Sequence, residues 1–143
     1  MVVLEAGIIK SSLAIIRSEY YPSEVKVDPL VKTSLLDALK VYADKAFNDQ
    51  IQEVRFKKFL IITKDLSSEN SIRLILYVIA DKTTNINELK KRLVNIEKKI
   101  DFDVFSDDYP LLSSELNNVK KIIDNELKDL CLGPSDRLKS ILG

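Results

Sequence analysis

The chain has 143 residues, the size of one domain with one hydrophobic core, and we expect residues 1–143 to form a single domain. Lys and Arg together number 22, as do Asp and Glu, so the formal net charge is zero, which argues against a nucleic-acid-binding protein that would need surplus cations. His is absent and Cys131 is the only cysteine, which removes the commonest general base, the commonest zinc ligand and any internal disulfide, and suits a reducing, cytoplasmic location.

Two strands are predicted to open the chain, in VVLEAGIIK and SLAIIRSEY, because both stretches are rich in β-branched and aliphatic residues. A polar turn lies between them, so we expect a hairpin, and we interpret Ser11 and Ser12 as turn residues because no base is available to activate them. Glu5 and Lys10 interrupt the apolar start, which lacks a cleavage site, so no signal peptide is expected. No apolar run reaches the length of about 18 residues that a transmembrane helix needs.

A helix is predicted over residues 28–49, DPLVKTSLLDALKVYADKAFND, with Asp28 as N-cap and Pro29 at the first helical position. Val41 lies on its polar side, where a lone exposed apolar residue is ordinary and a contact point for a partner is the alternative. The predicted buried stripe comprises Val31, Leu35, Ala38, Leu39, Tyr42, Ala43, Ala46 and Phe47, and the predicted solvent-facing side comprises Asp37, Lys40, Asp44 and Asn48.

An edge strand is predicted in IQEVRFK, where Val54 and Phe56 alternate with Arg55 and Lys57. KFLIITKD follows almost at once, so we expect the two to pair through a very short turn. The Lys-rich stretch RFKK, like ELKKRL and EKK in a later predicted helix, could contact phosphates or anionic lipid, but interleaved acidic residues favour a solvated face. If the stretch binds anything, its place on an edge strand indicates a protein partner, by strand addition or through its side chains.

SIRLILYVIADK is apolar on both faces, which predicts a central strand covered on both sides. A helix follows, INELKKRLVNIEKKI, with Asn85 as its N-cap and Glu88 completing a capping box. After a loop, SELNNVKKIIDNELKDLC predicts a third helix, on whose apolar side Cys131 is interpreted as a buried core residue. The inward residues of the two helices are predicted to be Ile86, Leu89, Leu93, Ile96 and Ile100, then Leu116, Val119, Ile123, Leu127 and Leu130.

Residues that could support catalysis are few. Asp107 and Asp108 are adjacent carboxylates, but no further ligand lies at a suitable spacing, and a polar loop is the better interpretation. Gly numbers only 3, and neither GxGxxG nor GxxxxGK[ST] occurs, so the chain has no nucleotide-phosphate loop and is not itself a GTPase. We therefore expect no enzymatic activity, no cofactor and no metal.

The predicted order β-β-α-β-β-β-α-α resembles that of the longin domain over nearly the whole chain. The motif layout is similar too: a hairpin with a short polar turn (IIKSSLAII), a helix opened by Asp-Pro-Leu, and a hairpin and central strand that ends in Ala-Asp (IRLILYVIADK). The Lys- and Ile-rich composition is more similar to that of small archaeal longin-like proteins than to animal ones. Roadblock domains usually begin with a helix, whereas this chain begins with strands, so longin ranks above roadblock.

The resemblance implies an α/β (α+β) profilin-like sandwich, with a five-stranded antiparallel sheet of order 2-1-5-4-3 and helices on both faces. Longin and roadblock domains are protein-interaction modules that regulate small GTPases or sit in vesicle-trafficking assemblies, commonly as dimers. The expected partner is a small GTPase or another longin/roadblock protein, a second copy of this chain included. SNARE-type longins continue into a coiled coil and a membrane anchor, and since the chain ends at Gly143 with neither, we expect a free-standing adaptor or regulatory subunit.

The partner surface is expected on the exposed side of the first helix and the adjacent edge strand, at Val41, Lys45, Arg55 and Lys57. The alternative is a PAS- or profilin-like small-molecule sensor, which needs a cavity lined by a few polar groups between the sheet and the helices. The predicted core positions are uniformly aliphatic, which favours a filled interior. An enzyme has the least support, because carboxylates or lysines would have to be brought together by folding.

Overall fold

The computed structural model describes residues 3–10, 13–20, 38–41, 43, 45–46, 52–66, 74–81, 83–101, 105 and 113–130. Its strands are β1 (Val3–Lys10), β2 (Leu13–Glu19), β3 (Glu53–Arg55), β4 (Phe59–Leu66) and β5 (Leu74–Asp81). Its helices are α1, represented by helical residues 38–41, 43, 45 and 46, then α2 (Ile86–Lys99) and α3 (Ser113–Leu127), which runs into the 3-10 turn Lys128–Leu130.

The five strands form one sheet in the order β2-β1-β5-β4-β3, and every neighbouring pair is antiparallel. This confirms the predicted fold class and strand order. β5 occupies the centre, where Leu76 pairs with Ile8 of β1 and Val78 pairs with Ile62 of β4. The two hairpins are therefore joined through the strand that is apolar on both faces. The prediction that residues 1–143 form a single domain stays a prediction.

One face of the sheet, here called the α2/α3 face, packs against α2 and α3 around a hydrophobic core. Alternate residues of the central strand, Leu74, Leu76 and Val78, point into it because successive side chains of a strand point to opposite faces. The helices contribute residues that were predicted to face inward, and those buried include Leu89, Leu93, Ile96, Val119, Ile123 and Leu127. Phe105, between the helices in sequence, is fully buried in the same core.

Polar contacts join α2 to its cap and to α3. The Asn85 side chain accepts a hydrogen bond from the Glu88 backbone N–H at 3.2 Å, which confirms the predicted N-cap. Arg92 donates to the Glu126 carbonyl at 2.7 Å and to both carboxylate oxygens of Asp129, at 2.9 and 3.0 Å. The hydrogen bond to Asp129 raises the pKa of Arg92, so the guanidinium stays charged and holds the end of α3 against α2.

On the opposite face of the sheet, here called the α1 face, the described residues Ile9, Ile61, Ile75 and Tyr77 form a second apolar cluster. The Tyr77 hydroxyl donates to Glu5 Oε2 at 2.8 Å, and Arg17 Nε lies 3.5 Å from Glu5 Oε1. Gly7 makes room for this contact, since a Cβ there would lie 2.9 Å from the Tyr77 ring and hydroxyl and against the Ile16 carbonyl. Burial, and then the charge of Glu5, raises the pKa of Tyr77, so its hydroxyl remains a donor.

Candidate protein-interaction surface

α1 lies over the α1 face, beside β4. Lys40 is 5% exposed, and its ammonium donates to Asp65 Oδ1 at 2.6 Å. Asp65 shares the side of β4 that carries Ile61, so this ion pair places α1 on the face opposite α2 and α3. Ala43 is buried beside it. The prediction of helices on both faces is thereby met by the described residues.

The orientation of α1 differs from the one predicted from its apolar spacing. Lys40, assigned to the solvent-facing side, is buried, whereas Ala38 and Ala46, assigned to the buried stripe, are exposed. The helix is rotated by roughly one residue, about 100°, relative to the prediction. The physical reason is the ion pair: Asp65 on β4 draws Lys40 inward, and small alanines lose little free energy by facing water.

The outward side of α1 forms a shallow apolar concavity of about 540 Å³, lined by Ala38, Val41, Lys45 and Ala46, which we call the α1 patch. Val41 is half-buried, and the other three residues are exposed. Of the lining side chains that the structure describes, three are apolar, and Lys45 adds a cation. An apolar surface with a charged rim is the arrangement found in protein–protein interfaces.

The β3–β4 hairpin presents a second exposed feature, residues 55–59, which we call the hairpin tip. Phe56 N–H donates to the Phe59 carbonyl at 2.8 Å, so the turn consists of Lys57 and Lys58, as short as predicted. The rings of Phe56 and Phe59 lie 4.8 Å apart between centroids, and Phe56 is 38% exposed. Since Phe56 closes the turn, the predicted strand over residues 51–57 is shortened to Glu53–Arg55.

The four predicted partner residues therefore fall into two places. Val41 and Lys45 lie in the α1 patch, Arg55 ends β3, and Lys57 lies in the turn rather than in a strand. The Arg55 side chain is 57% exposed and lies 3.2 Å from Glu53 Oε2. In the described part of the chain, no recorded hydrogen bond or ion pair joins the α1 patch to the hairpin tip. The role of these four residues stays a prediction.

A third feature was missed by the sequence analysis. A cavity of about 270 Å³, which we call the basic cavity, is lined by residues of α1, of both faces of β4 and of α2, together with Gln52, which precedes β3. Its lysines come from residues 40, 64 and 90, on three separate elements, and nothing in their local sequence signals that they converge. The lining comprises Lys40, Gln52, Ile62, Thr63, Lys64, Asp65, Lys90, Leu93 and Val94. The small-molecule sensor alternative called for a polar-lined cavity, and it stays a prediction.

Other candidates from the sequence yield little. Ser11, Ser12, Asp107, Asp108 and Cys131 lie outside the described residues, as do Asp28 and Pro29. Within the described ranges, no three His, Cys, Asp or Glu side chains are grouped as metal ligands. None of the helices that the structure describes is both long enough and apolar enough to span a bilayer.

Comparison with known proteins identifies the fold and nothing finer. No family model matches the chain, and no curated protein does. Among solved structures, the gliding protein MglB from Thermus thermophilus is similar over 86% of this chain and 79% of its own, with a TM-score of 0.51 and 9% identity. A structure of MglB in a tetrameric arrangement matches 87% of this chain and 80% of its own, with a TM-score of 0.45 and 13% identity. MglB is a roadblock/longin-type protein, and the sheet order and helix placement described above agree with that type, so this chain has a longin/roadblock-like fold.

Proposed function

We propose that the chain is a non-enzymatic protein-interaction module of longin/roadblock type, which binds a small GTPase or assembles with another longin/roadblock subunit in a trafficking-like complex. The observation that carries this proposal is the α1 patch, an apolar concavity on the outer side of a helix whose inner side is held to the sheet. A small GTPase is the first choice of partner because the resemblance to longin domains implies it.

The α1 patch suits docking because its position is fixed before a partner arrives. The Lys40 ammonium donates a hydrogen bond to Asp65 Oδ1 at 2.6 Å, and the Ala43 side chain is buried on the inner side of α1. A surface held in place loses little conformational entropy on binding. Val41 would supply the apolar contact at the centre of the patch, and Lys45 would pair with an acidic group at its rim.

The hairpin tip would contribute side chains rather than backbone pairing. β3 spans only Glu53–Arg55, and so short an edge strand is a poor template for an added strand. Arg55, Lys57 and Lys58 are exposed around the half-exposed ring of Phe56. These cations favour a partner surface that carries carboxylates, mainly by speeding encounter and fixing orientation.

The proposal is tested by mixing the protein with purified small GTPases from its own genome, each loaded with GTP or GDP, and measuring co-elution and affinity. We expect one GTPase to bind, and Lys45→Glu to weaken that binding by about tenfold or more through charge reversal at the rim. Lys121→Glu makes the same change at an exposed position of α3 and should leave affinity unchanged.

Two results would contradict the proposal at different points. Failure of every GTPase to bind in either nucleotide state would remove the small GTPase as partner. Equal affinity of the Lys45→Glu and Lys121→Glu variants would remove the α1 patch as the binding surface, even if a GTPase does bind.

A further inference from the structure

The basic cavity combines a buried cation with open space. The Lys40 side chain is 4% exposed, whereas its partner Asp65 is 39% exposed. An ammonium group has three hydrogen-bond donors, and the hydrogen bond to Asp65 engages one of them. Burying a cation costs free energy unless its donors are hydrogen-bonded. An acceptor in the adjacent cavity would therefore stabilise the Lys40 ammonium.

Two further lysines give the cavity a positive potential. Among the lining residues that the structure describes, Lys40, Lys64 and Lys90 carry three positive charges against the one carboxylate of Asp65, an excess of two. Lys64 Nζ lies 3.8 Å from Glu97 Oε1, beyond hydrogen-bonding distance, and counting Glu97 still leaves an excess of one. Lined cavities of one charge sign focus the electrostatic field and concentrate ions of the opposite sign.

A purely structural interpretation would treat Lys40–Asp65 as an ion pair that fastens α1 to β4. With the Lys64–Glu97 ion pair added, that interpretation accounts for two of the three lysines but not for Lys90. The cavity beside the Lys40 ammonium has a volume of about 270 Å³. This volume is near the lower end of the range for ligand pockets, roughly 300–1,000 Å³, which favours a small ligand.

We propose that the basic cavity binds a small oxyanion, the phosphate or carboxylate group of a compact metabolite, held by Lys40 and Lys90. The anion accepts from the donors that Asp65 leaves free on Lys40, and Lys90 neutralises it from the α2 side. Gln52 and Thr63 add polar groups to the lining, while Leu93 limits the size of the ligand. This site shares no residue with the α1 patch or the hairpin tip, and the proposal does not rest on the proposed function.

The test is a titration of the isotope-labelled protein with inorganic phosphate and, separately, with malonate, followed by backbone amide NMR. Sodium chloride holds the ionic strength constant, so that general screening is matched between points. We expect saturable shifts clustered at residues 62–65 and 90–94, and the tighter of the two anions identifies the preferred group.

Variants assign the binding to the cavity. Lys90→Gln should weaken binding by about tenfold, the loss expected for one charge-assisted hydrogen bond. Lys91→Gln removes the same charge from the next residue of α2, which is exposed and outside the lining, and should leave the affinity unchanged. Lys40→Met should abolish saturable binding, and if that variant does not fold, Lys64→Gln with Lys90→Gln provides the same test.

The proposal is overturned if neither anion produces saturable shifts. It is equally overturned if the shifts spread over exposed lysines of α2 and α3, or if the Lys90→Gln and Lys91→Gln variants bind alike, because the anions would then only screen surface charge.

Discussion

The two faces of the sheet are built differently. On the α2/α3 face, the described buried residues are aliphatic apart from Phe105, and ionic contacts such as Arg92–Asp129 lie at the edge of the helix pair. On the α1 face, charged groups are buried beside the described apolar cluster: Glu5 against Tyr77, and Lys40 against Asp65. Of the proposed binding features, the α1 patch and the basic cavity both include residues of α1.

The largest expected effect compares apolar truncations on the two faces. Ile123→Ala, in the middle of α3 and fully buried, should lower the free energy of unfolding by about 4 kcal/mol. Ile61→Ala, in the apolar cluster of the α1 face, should lower it by about 2 kcal/mol, because that position is 8% exposed rather than fully buried. Urea denaturation of both variants measures the difference. Equal losses of unfolding free energy would contradict the difference expected between the two faces.

The next effect concerns the buried lysine. Asp65→Asn removes the carboxylate that pairs with Lys40 and should cost about 2 kcal/mol, since it leaves a buried ammonium without its counter-charge. Glu53→Gln provides the control, because it breaks an ion pair with Arg55 that is largely exposed and should cost less than about 0.5 kcal/mol. Urea denaturation measures the cost of each substitution. A cost for Asp65→Asn no greater than that for Glu53→Gln would mean that water replaces Asp65 as the partner of Lys40.

The smallest of these effects depends on pH. Tyr77→Phe should cost about 1.5 kcal/mol near neutral pH, because it leaves the buried Glu5 carboxylate one donor short. The folded state raises the pKa of Tyr77, so the unfolded chain releases this proton first as pH rises. The stability from Tyr77 is therefore fully present below about pH 10 and is lost above it.

The measurement for Tyr77 is the difference in unfolding free energy between the native protein and the Tyr77→Phe variant, at pH 8 and again above pH 10. Taking the difference cancels the titration of lysines, which both proteins share. The gap should shrink at the higher pH. A gap that stays constant would show that the hydroxyl is not held as a buried donor.

Sequence patterns were sufficient where an element depends on its own residues. The central position of β5 follows from its being apolar on both faces, whereas the full strand order was implied by the resemblance to longin domains. The buried positions Leu89, Leu93 and Ile96 follow from their helical spacing. The cap at Asn85 was predicted for the same reason, since N-cap and N3 residues are close neighbours in the chain.

Sequence patterns failed where the deciding partner lies far along the chain. Periodicity assigns a lysine to solvent, but Lys40 is turned inward by Asp65, which is 25 residues away and on a strand. The hairpin tip is a smaller case: the alternation around Arg55 and Lys57 predicts a strand, but Phe56 and Phe59 close the turn. The basic cavity depends on three elements together, so no local pattern could have predicted it.

The central claim, that α1 is a docking helix, is tested most directly by the affinity of the Val41→Asp variant for the bound GTPase, measured by isothermal titration calorimetry. Val41 is only half-buried and faces outward, so this variant should fold with nearly native stability, which circular dichroism would verify. We predict a loss of affinity of about a hundredfold, because a carboxylate would be desolvated at the centre of the interface. An unchanged affinity in a folded Val41→Asp protein would contradict the account.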